Sequence, residues 1–400
     1  MYKSFITKVQ YSILLILYIS TFCQITACGQ LQKAEETMFE EKSHYETLCT
    51  TESDMQKETE TVRTLPEEET TEKPKPQNPY DFTVCFAGDI NLNETGDMIR
   101  LLDEQEAGIS GCISQELLEH MNDADIMCLN NEFTYSTRGE PLPNKLYTFR
   151  ANPERVAILQ EMGVDIVKLA NNHVYDYGEE AMLDTLDTLD AAGIAYVGAG
   201  RNLKEAMEPV YVELDGKKIA FVAASRAEKM KMTPQATEDS PGILRCYDNE
   251  LFLDTIKRAD ADADFVLAYI HWGTEYSYEL EEVQLTTGKE YLDAGADVVI
   301  GAHSHCLQGM EYYDGKPIVY SLGNYWFNNK TLDTMLLDLH FYGDDENQQL
   351  DVSVIPAIQS GCRTQVVTEN EEKERIYSFL EEISVNVEID SEGVIHETDI

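Results

Sequence analysis

Two histidines flank one residue at the end of a short apolar run, in Asp297-Val298-Val299-Ile300-Gly301-Ala302-His303-Ser304-His305. Alternate residues of an extended segment project to the same side. The spacing therefore predicts two imidazoles aimed into one space. Five further groups of the same chemical kind stand at comparable places: Asp89, Glu132, Asn172, His173 and His271. Each alone has a plain structural explanation. Asp89 can cap a helix, Asn172 can sit in a turn, and His271 can be a satisfied core histidine. Together, two carboxylates, an amide and several imidazoles suit one or two divalent transition metals such as Mn, Fe or Zn. Cys306 follows the second histidine, and a thiolate there would suit zinc. It falls out of phase with the two histidines and is expected to point elsewhere.

These groups need positioning elements, and the chain supplies them in a regular way. Thr83–Ala87 ends at Gly88-Asp89, Asp125–Leu129 at Asn130-Asn131-Glu132, and Asp165–Ala170 at Asn171-Asn172-His173. Phe265–Ile270 ends at His271-Trp272-Gly273, and Pro317–Tyr320 at Ser321-Leu322-Gly323-Asn324. Each reads as a buried strand that stops in polar or glycine residues, and sites of α/β sheets collect at the carboxyl ends of strands. Ile219–Ala224 is a further buried strand. Helical spacing of apolar residues marks Pro153–Met162, Glu179–Ala192 and Val283–Ala294, the first two stopped by Gly163 and Gly193. Alternating strands and helices predict an α/β core. Leu339–Phe341 and Val352–Ile355 read as edge or antiparallel strands, and the acidic tail from residue 367 carries a short helix near Ile376–Ile383.

Composition narrows the partners. The 400 residues carry a net charge of −44. A nucleic-acid-binding surface needs a basic face, so nucleic acid is excluded as a partner. Electrostatic docking on anionic lipid is disfavoured for the same reason. Residues 1–28 have Lys3 and Lys8 before the apolar run Ile13–Ile19, then Ala27-Cys28-Gly29. That pattern is expected to be an export signal with Cys28 as a lipidated mature N-terminus; an ordinary secretion signal is the alternative. Residues 29–79 hold 13 acids and 6 bases with prolines at the end, and read as a tether that cannot bury enough apolar surface to fold. The nine cysteines include no Cys-x-x-Cys pair, and Cys85, Cys128 and Cys246 read as small buried apolar residues.

The order Asp, acid, Asn-His, His, Gly-x-His-x-His resembles the calcineurin-like metallophosphatase superfamily. Gly88-Asp89, Asn130-x-Glu132, Leu169–His173 with Asp176-Tyr177-Gly178, His271-Trp272-Gly273, Gly301-x-His303-x-His305 and Tyr320–Asn324 are similar to the CapA family of poly-γ-glutamate capsule biosynthesis proteins. The resemblance runs over about residues 81–330. It implies a four-layer α/β/β/α sandwich, two mixed β-sheets flanked by helices, over residues 80–345. Residues 346–400 would complete this domain or be appended to it. It implies metal ligation by Asp89, Glu132, Asn172, His271, His303 and His305. His173 beside Asn172 would be the general acid or transition-state stabiliser, and Asn91, Asn130 and Asn324 would hydrogen-bond to the ligand side chains. There are two departures. Asn91 stands where phosphatases have a histidine, and Glu132 where they have the bridging aspartate. Arg138, Lys145 and Arg150 form a basic island expected either to hold an anionic substrate group or to make surface ion pairs.

The function so implied is a lipid-anchored protein on the extracytoplasmic face of the cell membrane (or a secreted one). It would act in biosynthesis or processing of poly-γ-glutamate or a related anionic polymer, through a metal-dependent hydrolase-like site. Its partners would be the polymer, the membrane through its anchor, and a membrane polymer-synthase complex. A non-catalytic polymer-binding or export subunit is one alternative, and a generic surface metallophosphatase is another.

Overall fold

The computed structural model describes residues 78–227 and 232–398. The expected export signal with Cys28, and the tether up to residue 77, lie outside the described residues. The described chain belongs to one compact unit. Two mixed sheets face each other. The first is built on β1 (Tyr80–Ile90), β2 (Ile126–Asn131), β3 (Ile166–Lys168) and β4 (Ala195–Val197). The second is built on β5 (Val210–Leu214), β6 (Lys217–Ser225), β7 (Phe265–His271), β8 (Val298–Ala302), β9 (Leu307–Tyr313) and β10 (Lys316–Leu322). The chain then returns to the first sheet with β11 (Asn324–Trp326), β12 (Leu332–Gly343), β13 (Gln348–Ser360) and β14 (Arg363–Val366).

The first sheet runs β14-β13-β12-β1-β2-β3-β4, with β11 beside the end of β1; the second runs β9-β10-β8-β7-β6-β5. β1 to β4 are mutually parallel, as are β6, β7, β8 and β10. The two C-terminal strands expected to be edge or antiparallel strands are antiparallel and lie inside the sheet: β12 pairs with β1 on one side and β13 on the other, and β13 pairs on with β14. Gln348–Ser360 and Arg363–Val366 thus extend the first sheet, while Val387–Ile389 and Ile395–Glu397 pair as a separate two-stranded sheet.

Burial explains the layers. Alternate residues Val84, Phe86, Ile126, Cys128, Phe221, Leu267 and Tyr269 meet between the sheets. The other faces carry helices. Cys85, Met127 and Leu129 pack under α1 (Asp97–Asp103), α2 (Gln115–Asp123), α3 (Val156–Glu161) and α4 (Gly178–Ala192). Val222, Ala268 and Val299 pack under α5 (Glu250–Asp262) and α6 (Glu282–Asp293). The α/β/β/α order matches the sequence expectation. In α4, Met182, Leu186 and Leu189 line the buried face, and Gly193 ends the helix at φ 72°. The helix expected near Ile376 starts earlier, as α7 (Asn370–Glu382). Helices α1, α2 and α5 escaped the sequence reading because their apolar stripes are short and interrupted by charges.

Gly88 is the point on which the site depends. Ala87 pairs with Leu129, yet Asp89 pairs with Asn130, so Gly88 is an extra residue in β1. Such a bulge reverses the alternation beyond it. Asp89 would otherwise share the helix-facing side with Cys85 and Ala87; the bulge turns it to the inter-sheet side. A Cβ on Gly88 would lie 2.0 Å from the Gly323 carbonyl oxygen. Backbone meets backbone there, so no side-chain motion relieves the clash. Gly88→Ala is expected to cost about 3 kcal/mol, the upper end for overpacking, read as a lowered denaturation midpoint. Metal binding should fall with it.

Candidate metal centre

The carboxyl ends of the parallel strands of both sheets converge. In the first sheet Asn324, Asp89, Asn130 and Lys168 form one row of register partners across β11, β1, β2 and β3. Opposite them, β7 ends at His271, whose alternation with Tyr269 places it on the inter-sheet side. Asp89, Asn130, Glu132, Lys168 and His271 are fully buried, and Asn172, His173, His303 and His305 nearly so.

The amide of Asn130 ties the row together. Its Nδ2 donates to Asp89 Oδ1 at 2.7 Å and to Glu132 Oε2 at 3.0 Å. Asn171 Nδ2 donates to Asn130 Oδ1 at 3.1 Å, and its own Oδ1 accepts the backbone N–H groups of His173 and Val174. Asn171 thus forms the turn that presents Asn172 and His173. The other Glu132 oxygen, Oε1, is buried with no hydrogen-bond partner. Around it stand Nε2 of His271 at 3.7 Å, of His173 at 3.8 Å and of His305 at 4.0 Å. His271 Nε2 also lies 2.8 Å from Asn172 Oδ1. His303 Nδ1 is a second buried atom without a partner.

The ligand atoms fall into two triads that share Glu132: Asp89, Glu132 and His305, and Glu132, His271 and His303. A third grouping joins exposed Glu275 to His303 and His305. Ligand atoms bonded at about 2.0–2.2 Å to one ion stand roughly 3–4 Å apart. The spacings around Glu132 Oε1 match that, with nitrogen and oxygen donors of the type Mn, Fe and Zn accept.

Charge supports the same fit. Burial, then the neighbouring charge of Lys168, holds His271 well below the usual histidine range. Burial, then His305, pushes His303 down to about 3. Both are neutral imidazoles, the form that ligates. Burial works to raise Asp89, but hydrogen bonding and charge from His305, with help from Lys168 and Asn130, outweigh it and hold the carboxyl below its ordinary value. Burial and the charge of Asp89 push Glu132 well up.

The histidine pair reaches the site by a different route from the one its spacing predicts. Strand β8 stops at Ala302, and His303 and His305 adopt φ of 95° and 56°. The segment is a turn with two residues in the left-handed region, which is uncommon for histidine. It is held by Ser304, whose hydroxyl donates to Cys306 O at 2.7 Å and meets Ser321 Oγ at 2.8 Å. His305 Nδ1 donates to Asn324 Oδ1 at 2.8 Å, leaving Nε2 for the centre. Cys306 points away, its Sγ 3.5 Å from Ser277 O.

His173 is held from behind. Its Nδ1 lies 2.7 Å from Asp176 Oδ2, and Phe149 stacks on the ring at 4.4 Å. Asp176 Oδ1 takes Lys145 Nζ at 2.8 Å, and that ammonium also donates to Asn172 O. Lys145 therefore supports the Asn172-His173 turn from the protein side. Arg138 is paired with Asp184 and Glu180. Arg150 donates to the carbonyls of Arg138 and Gly139 and lies over the Tyr177 ring. The basic island is thus engaged with protein groups. Asn91 lines the cleft, its Oδ1 accepting from Asn93 N at 2.8 Å.

That cleft opens beside His173 and His305 with a volume of about 390 Å³. Phe149, Tyr276 and Phe327 form apolar walls, and Asn91, Asn93, Asn328 and Asn329 supply amides. Lys330, over the Tyr276 ring at 3.4 Å, is a cation on its rim. Trp272 and Trp326 do not line it; both are fully buried and donate to the carbonyls of Tyr320 and Cys362.

Sequence reasoning missed Lys168, Asp176, Glu275 and Lys330 as parts of the site. Lys168 had a visible signal, a charged residue inside an otherwise apolar strand. Its Nζ lies 3.0 Å from His271 Nδ1 and 4.4 Å from the Tyr269 ring centroid. Burial pushes its ammonium down to about 7 against the opposing pull of Asp89 and Glu132.

The chain is similar to several known proteins. The family model described as "Bacterial capsule synthesis protein PGA_cap" matches residues 83–329, which hold every candidate ligand named above. The PGA biosynthesis protein CapA of Bacillus subtilis is 30% identical over 262 residues, covering 65% of this chain and 67% of that protein. The capsule biosynthesis protein CapA of Bacillus anthracis is 34% identical over 237 residues. That match covers 58% of this chain and only 56% of the relative. Among solved structures, the NAD nucleotidase of Haemophilus influenzae is similar with a TM-score of 0.38 at 13% identity, over 77% of this chain and 57% of that one. With the family model spanning more than half of its length, this chain belongs to the bacterial capsule synthesis protein family PGA_cap.

Proposed function

We propose that this protein is a metal-dependent hydrolase acting on poly-γ-glutamate or a related anionic envelope polymer during capsule biosynthesis or processing. We further propose that lipidated Cys28 and the acidic tether hold it on the outer face of the cell membrane, beside a polymer-synthase complex. The observation that carries the first reading is Glu132 Oε1, buried without a hydrogen-bond partner and ringed by three imidazole nitrogens at 3.7–4.0 Å. The names of the similar proteins support the polymer.

Asp89, Glu132 and His305 would hold one ion, and Glu132, Asn172, His271 and His303 a second. Bound there, the ions would polarise a carbonyl and lower the pKa of a water. The chain's own residues supply the rest. Asp176 accepts a hydrogen bond from Nδ1–H of His173 and fixes the ring, so Nε2 faces the reacting group. A proton on Nε2 can then pass to the leaving amide nitrogen, with the Asp176 carboxylate stabilising the imidazolium. Phe149 and Phe327 cover this edge and limit water. Lys330 is placed to pair with a free α-carboxylate of a γ-linked chain in the cleft, while Asn328 and Asn329 meet its amides.

The test is incubation of the metal-loaded protein with γ-linked glutamate oligomers, followed by mass analysis. Shorter oligomers are expected, and none from His173→Ala. Saturable oligomer binding with no turnover under any metal would favour a polymer-binding or export subunit instead. Asp176→Asn is expected to keep metal content and lower turnover by about 10²–10⁴-fold, the range for a positioned acid–base group. Turnover and metal stoichiometry measured on the same sample check it.

A further inference from the structure

A second cluster of metal-ligating side chains lies on the other side of the first sheet. Cys85 and Asp338 are register partners across β1 and β12. Cys85 faces the helix layer, and His120 of α2 descends onto the same point. The Sγ, a ring nitrogen and a carboxylate oxygen of these three residues all lie within 4.8 Å of one another. His120 Nε2 is 2.5 Å from Asp338 Oδ2. The other oxygen, Asp338 Oδ1, is buried and has no hydrogen-bond partner. Cys85 is fully buried, whereas the side chains of His120 and Asp338 are 39% and 18% exposed.

From these contacts we infer that Cys85, His120 and Asp338 form a separate zinc-type site, distinct from the centre built on Glu132. Cys85 is four residues from Asp89, about 13 Å along an extended strand, and on the opposite face of the sheet. Thiolate, imidazole and carboxylate make up a donor set that zinc accepts at about 2.0–2.3 Å in tetrahedral geometry. Tetrahedral donors then stand about 3.3–3.5 Å apart, so an ion needs the thiol side to close inward by about 1 Å and the His120–Asp338 contact to open. The thiolate and carboxylate charges neutralise a dication in a poorly hydrated layer. The exposed edge beside His120 leaves the fourth position to water. Binding displaces the thiol proton to solvent, and His120 ligates through Nε2 as the neutral imidazole with its proton on Nδ1. The orphaned Oδ1 gains a partner. The site would pin α2 to the two central strands β1 and β12, a structural role rather than a catalytic one.

The test uses Co²⁺ as a spectroscopic stand-in for zinc, added to the full chain carrying Glu132→Ala. That background removes the shared ligand of the other centre, whose donors are only nitrogen and oxygen. A near-ultraviolet sulfur-to-cobalt charge-transfer band should appear at one equivalent. It should vanish in Cys85→Ser, and its affinity should weaken by more than about tenfold in His120→Ala, since even residues behind metal ligands cost 10–100-fold. His120 is partly exposed, so that variant keeps the test decisive if Cys85→Ser fails to fold. No band, a band that survives Cys85→Ser, or unchanged affinity in His120→Ala overturns the inference. None of these outcomes bears on the proposed hydrolase centre, which holds no sulfur donor.

Discussion

Glu132→Ala is expected to abolish divalent-metal binding at the inter-sheet centre, while His271→Ala and His305→Ala each weaken one half of it. The asymmetry follows from sharing. Glu132 belongs to both triads, and each histidine to one of the two. Removing the carboxylate also strands the imidazoles that surround its Oε1, and it withdraws the charge that a dication needs in a buried site. Each ion held there would lose the carboxylate that the two triads share. The readout is metal content by elemental analysis after equilibration with Mn²⁺, Zn²⁺ or Fe²⁺. In a Cys85→Ser background, which removes the separate site inferred above, two ions, one on adding either histidine substitution and none on adding Glu132→Ala is the pattern the geometry requires. Equal losses in all three variants would mean that one mononuclear site exists. Retained binding in Glu132→Ala would remove the centre from consideration.

Lys168→Gln should tighten metal binding and destabilise the metal-free fold at the same time. Its Nζ sits 3.0 Å from His271 Nδ1, at the base of the centre. An ammonium there donates to Nδ1, which places the ring's own proton on Nε2, against Asn172 Oδ1. A ligand nitrogen must be free of that proton. Glutamine can instead accept from Nδ1–H, the orientation that metal-bound histidines show. It also removes a positive charge close to the ion. Burial already holds that ammonium down to about 7, so its charge opposes the ion only in part, and tenfold tighter binding, about 1.4 kcal/mol, is the expected size. Stability runs the other way. Asp89 and Glu132 lose the nearby positive charge that opposes their own, so the metal-free fold is expected to melt lower. Calorimetric titration and thermal melts with and without metal read both effects. A variant that binds metal more weakly than the native chain, or whose metal-free form melts no lower, would show that Lys168 does not act through charge.

Much of the centre was legible in the sequence because its information is local. An apolar run that ends in Asp, Asn or His is both a strand and a statement of where its end lies. Parallel strands then bring those ends together without further instruction. Asp89, Glu132, Asn172, His271, His303 and His305 could therefore be collected before any contact was known. The family wording around them added the sheet-on-sheet architecture.

What only the tertiary structure decided are the properties that depend on distant backbone. Asp89 faces the site because Gly88 bulges, and Gly88 bulges against Gly323, more than two hundred residues away. By alternation alone Asp89 belongs with Cys85, on the wrong side of the sheet. His303 and His305 reach the centre through left-handed backbone held by Ser304, Ser321 and Asn324, not through the extended alternation that their spacing suggests. Arg138, Lys145 and Arg150 are a visible cluster of charge in sequence, open to either a substrate group or ion pairs because partners are not visible there; the fold pairs them with Asp184, Asp176 and backbone carbonyls. Residue type and strand ends are written along the chain. Which face a side chain takes, and which charge stands beside it, are set by contacts between segments that sequence order does not reveal.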